Sequence, residues 1–132
     1  MRTRPTLTSE DAHKMMNACK AEAQKNKWAV SIAIVDDAGT LLLFERLDGA
    51  SPTTAAVSQG KALTSVALRR PSKFMEDRLK DRPAFLKFPA GIPIQGAVPV
   101  MYQGECVGAI GVSGVQSHED EQVASAGAAT IA

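Results

Sequence analysis

The side chains able to bind or react are few and scattered. His13 and His118 are the only histidines. His13 follows Ala12 and precedes Met15 and Met16 in a stretch of helical periodicity. A neutral imidazole is a common protein ligand of transition metals, and a thioether such as Met16 can share iron with it. Apolar thioethers at helical spacing serve equally well as core. His118 precedes Glu119, Asp120 and Glu121, and Asp36 closes a run of β-branched and small residues. Asp36, His118 and Glu119 are therefore the candidates for moving protons. Their plainer readings are turn chemistry at Asp36-Asp37 and carboxylates at the positive end of a helix. No spacing identifies a nucleophile.

Arg46, Lys61 and Arg70 are the charged minority within otherwise apolar segments. A buried cation costs several kcal/mol unless paired, so each needs a carboxylate of the chain or an anionic ligand. Ser113-Gly114 leads into a helix that starts near Ser117, where backbone N–H groups could take a carboxylate. The glycines at 108, 111 and 114 superficially suggest a phosphate loop. They lack both GxGxxG and the Walker lysine, and nucleotide binding is a poor reading.

Elements must position these groups. Thr8-Ser9-Glu10-Asp11 reads as an N-cap, and Ala12, Met15, Met16, Cys19 and Ala23 recur on one face of a helix ending near Asn26. Residues 29–35 and 40–47 read as a hairpin turned by Asp36-Asp37-Ala38-Gly39. A second helix spans 51–69, with Gly60 costing roughly 1 kcal/mol in its middle unless another backbone packs there. A short helix over 72–79 and an irregular segment over 80–96 follow. Residues 97–102 and 105–113 form another hairpin, and the last helix starts at Ser117. The order is α β β α α β β α, an antiparallel sheet with helices on it in one domain over residues 1–132.

Fifteen Lys and Arg against fourteen Asp and Glu leave +1, so no net field holds a polyanion and nucleic acid is disfavoured as a partner. No window reaches the length of a membrane span, and no apolar run follows the two N-terminal arginines, so the expected location is the cytoplasm. Cys19 and Cys106 stand far apart, which makes a disulfide framework or structural zinc site improbable. Only six residues are aromatic while 21 are alanine. Such a chain buries little area per residue, and association into a homo-oligomer is expected.

The string Ser31-Ile32-Ala33-Ile34-Val35-Asp36-Asp37-Ala38-Gly39 is followed by Phe44-Glu45-Arg46-Leu47-Asp48-Gly49-Ala50, Lys61-Ala62, Arg70-Pro71-Ser72, Gly91-Ile92-Pro93 and Val107 through Gly114. In this order the motifs resemble the GlcG/HbpS heme-binding family, which also supplies the C-terminal domain of PduO-type corrinoid adenosyltransferases. The resemblance runs through nearly the whole chain. It implies a profilin-like α/β (α+β) domain, with a central antiparallel sheet of about five strands, that assembles from dimers to octamers. It further implies a place near catabolic operons, with heme bound or degraded by some members. A histidine on the N-terminal helix of the PduO-type domains resembles His13. The export signal of secreted HbpS-type members and the ATP-binding adenosyltransferase domain have no counterpart here, so neither role transfers.

These readings leave three functions open. In the first, the chain is an oligomeric accessory protein binding heme or a related tetrapyrrole, with His13 and Met16 at the iron. In the second, it is an enzyme acting on a small carboxylated catabolic intermediate; Arg46, Lys61, Arg70, Ser113 and Gly114 hold the anion, and Asp36, His118 or Glu119 move protons. In the third, the assembly is purely structural.

Overall fold

The computed structural model describes residues 1–131. Helix α1 (Ser9–Lys25) starts at a reciprocal cap: the Thr8 hydroxyl accepts from the Asp11 N–H at 3.1 Å, and the Asp11 carboxylate accepts from the Thr8 N–H at 2.9 Å. Its buried side is the expected stripe of Ala12, Met15, Met16, Cys19 and Ala23. Strands β1 (Ser31–Asp36) and β2 (Leu41–Arg46) form the first hairpin, followed by α2 (Thr53–Leu68) and α3 (Lys73–Asp81). A 3-10 turn covers Pro83–Lys87. Strands β3 (Ala97–Tyr102) and β4 (Glu105–Ser113) form the second hairpin, and α4 (Ser117–Ala128) closes the chain.

The sheet is antiparallel throughout, in the order β2-β1-β4-β3. It has four strands, which corrects the expectation of about five. The segment between the 3-10 turn and β3 carries Pro89, Gly91, Pro93 and Gly96 and docks on α2 instead of extending the sheet. Its Ile92 N–H donates to the Gly60 carbonyl at 2.9 Å, and the Thr64 hydroxyl donates to the Ile92 carbonyl at 2.9 Å.

The strand period of two divides the sheet into unlike faces. Ile32 and Ile34 of β1, Val100 of β3 and Ile110 and Val112 of β4 pack against Met15, Met16 and Cys19 of α1 and Val123 and Ala124 of α4. On the other face Ser31, Ala33 and Val35 lie opposite Ser113, Gly111 and Ala109. These small residues let α2 approach closely: a Cβ on Gly111 would overlap the Ser58 carbonyl and lie 2.7 Å from the Ala62 nitrogen. The Ser31 and Thr54 hydroxyls share a hydrogen bond of 2.8 Å across this contact. Alanine and glycine thus stand where two layers must nearly touch. Within α2 the sole charged residue, Lys61, is buried, whereas Ala56, Leu63 and Ala67 face outward.

Candidate functional site

The predicted anion-binding groups fall in different places. Lys61 points from α2 past the end of β3 to the far side of the sheet, where its Nζ donates to Asp120 Oδ2 at 2.9 Å and to the Val112 carbonyl at 3.0 Å. Gly96 opens the passage. At φ +141° a side chain is strained in any case, and a Cβ there would stand 2.6 Å from Lys61 Nζ. The Val115 N–H donates to the other oxygen, Asp120 Oδ1, at 3.1 Å. The backbone after Ser113-Gly114 does receive a carboxylate, and that carboxylate belongs to Asp120. Both side chains of the pair are buried, with exposures of 3% and 2%. Burial pushes the Asp120 carboxyl above its ordinary value, against the opposing pull of the Lys61 ammonium and the Val115 N–H. The pair joins the α2 layer to α4 and gives no ligand access to Lys61. Asp120, read from the sequence only as a helix-start carboxylate, is the partner that a lone lysine in an otherwise uncharged helix requires.

Arg70 is exposed, with its guanidinium 4.4 Å from the centre of the Phe74 ring. Arg46, at the end of edge strand β2, lines a surface groove with Trp28 and Lys27. Arg46, Lys61 and Arg70 therefore do not converge on one anion.

Nor do the proton-transfer candidates meet. Asp36 Oδ1 accepts from the Ala38 and Thr40 N–H groups at 3.0 and 2.9 Å, which fixes the β1–β2 turn. Glu119 accepts from the Gln116 N–H at 3.1 Å within the capping box of α4. Asp36 lies opposite Gly108, whereas the end of β4 leading to His118 lies opposite Ser31. Five strand residues, about 16 Å, separate these ends. His118 is exposed.

Met16 is 3% exposed and packed in the core, so its thioether is unavailable to a surface ligand. His13 lies on the opposite, exposed side of α1. Its Nδ1 is 2.8 Å from the Ser9 carbonyl, an acceptor only. Nδ1 must therefore carry the proton, which leaves the lone pair on Nε2. A second contact that sets the tautomer and ring orientation is the usual preparation of a metal-binding histidine. The donor thus fits heme iron. The walls are incomplete, since the helical neighbours Glu10, Lys14 and Asn17 are polar and exposed. Among the described residues, no three His, Cys, Asp or Glu side chains gather to hold a metal ion.

Two helical layers on a four-stranded antiparallel sheet, held together by a buried lysine–aspartate pair, define a small α+β domain. The chain matches, over residues 7–129, the family model described as "Haem degrading protein HbpS-like", and it belongs to that family. The protein GlcG of Escherichia coli (strain K12) is 42% identical over 114 residues, covering 86% of this chain and 85% of GlcG. A double mutant of Streptomyces reticuli HbpS superimposes with a TM-score of 0.93 at 35% identity, covering 100% of this chain and 91% of that one. The PduOC:heme complex has the same fold, with a TM-score of 0.88 at 23% identity and 96% of each chain covered. Among the described residues, no helix is long and apolar enough to cross a membrane.

Proposed function

We propose that this chain is a heme-binding accessory protein of a catabolic pathway that works as a homo-oligomer, with His13 Nε2 as the axial ligand. The observation that carries the reading is the His13 geometry: an exposed imidazole whose Nδ1–H is committed to the Ser9 carbonyl at 2.8 Å. The family description, of a haem-degrading protein, supports the choice of ligand. Bound there, heme would supply an iron centre. The chain contributes the ligand and the orientation of its ring, and a second copy must cover the porphyrin, because the α1 surface around His13 is polar. The outward apolar side of α2 supports the association. Titration with hemin tests the reading. Wild type is expected to develop a shifted Soret band with saturation, and His13→Ala to lose that shift; an unaltered spectrum in the variant removes His13 from the site.

A further inference from the structure

A second feature of α1 lies about 18 Å along the helix from His13. The helix ends in a Schellman arrangement, in which the Trp28 N–H donates to the Ala23 carbonyl at 2.8 Å and the Lys27 N–H to the Gln24 carbonyl at 3.1 Å. This places Lys27 at φ +60°, a left-handed position ordinarily given to glycine and strained for a residue with a side chain. Helix α2 ends in the same way at Arg69, φ +56°. There the side chain accounts for the choice, since Arg69 Nη1 donates to the Asp37 and Val66 carbonyls at 2.8 and 2.7 Å. Lys27 has no such contact among the described residues, and Lys25 in the last turn already complements the helix dipole.

Lys27 borders a groove of about 470 Å³, within the roughly 300–1,000 Å³ of small-molecule sites. The half-buried Trp28 and Leu47 give it apolar surface. Lys20, on its wall, is occupied by Glu45 at 3.1 Å. Lys27 and Arg46 have no carboxylate partner among the described residues, and they outnumber the remaining acid, Asp48.

We propose that this groove binds a small carboxylic acid with a flat apolar body, the carboxylate held by Lys27 and Arg46 and the body laid against Trp28 and Leu47. The left-handed position at Lys27 sets its side chain and that of the adjacent Trp28 on the same groove. The proposal is independent of heme binding at His13.

Trp28 is the single tryptophan, so its fluorescence reports on the groove directly. Benzoate is expected to change the emission with saturation, while the neutral isostere benzamide and the ringless acetate bind about tenfold more weakly or worse. Arg46→Gln should weaken benzoate by about tenfold. Lys27→Gly should weaken it similarly while raising the melting temperature by roughly 2–5 °C, which separates lost binding from lost folding. Equal binding of benzoate and benzamide, no saturable response, or benzoate affinity unchanged in both variants would overturn the proposal.

Discussion

Removing one half of the Lys61–Asp120 pair and removing both halves are different perturbations at the residue scale. Lys61→Met leaves a buried carboxylate facing only the Val115 N–H, which is expected to cost about 3–5 kcal/mol near neutral pH. The sign of the pH dependence follows from the direction in which burial moves Asp120. An acid whose folded pKa lies above its unfolded value destabilises the fold when ionised, and the penalty is relieved as pH falls through the folded value. The deficit of Lys61→Met should therefore shrink on acidification. The double variant Lys61→Met with Asp120→Leu should recover most of the loss, because an apolar pair of similar volume carries no desolvation cost. Urea denaturation across pH measures all three; a double variant as unstable as the single one would show that the charges themselves hold the layers together. Lys61 was legible as a residue needing a partner. The identity of the partner was not, because Asp120 lies 59 residues away and reaches Lys61 only through the gap that Gly96 leaves beside β4.

At the scale of elements, two local devices make opposite predictions about helix propensity. Ala favours an isolated helix over Gly by about 1 kcal/mol, but Gly60→Ala would place a Cβ 2.5 Å from Ile92 Cγ1. The docked segment should be displaced and the protein destabilised by about 1–3 kcal/mol, with faster proteolysis within residues 88–96. A stabilised variant would mean that the segment does not rest on α2. The cap of α1 behaves differently. The Thr8 N–H and hydroxyl hold the Asp11 carboxyl below its ordinary 3.8, so its contribution is present above that value and is lost as pH falls through the lowered folded value. Thr8→Ala should cost about 1 kcal/mol at neutral pH and less in strong acid, a difference measurable by thermal melts at two pH values. Most elements were legible because capping boxes, two-residue alternation and turn residues act over a few positions. Strands β3 and β4 begin and end where their patterns do. The sheet order was not legible, since β1 pairs with β4 across more than 70 intervening residues, and Schellman ends built on Lys27 and Arg69 carry no glycine to announce them.

For the whole molecule, the alanine-rich composition finds its use in the close approach of α2 to the sheet, and this leaves an outward side of Ala56, Leu63 and Ala67. Leu63 retains 37% exposure, an apolar group that association would cover. Leu63→Glu is expected to lower the mass measured by light scattering without altering the far-ultraviolet circular dichroism; an unchanged mass would place the contact elsewhere. The candidate site was legible only in part. His13 was legible as a candidate by type and helical position, whereas its hydrogen bond to the Ser9 carbonyl and the polar, exposed neighbours around it emerge only from the fold. The measurement that bears most directly on heme binding at His13 is a parallel hemin titration of wild type and His13→Ala, followed through the Soret band. The predicted result is a saturable, shifted band at one heme per His13 site that His13→Ala loses, and identical spectra and affinities for the two proteins would contradict it.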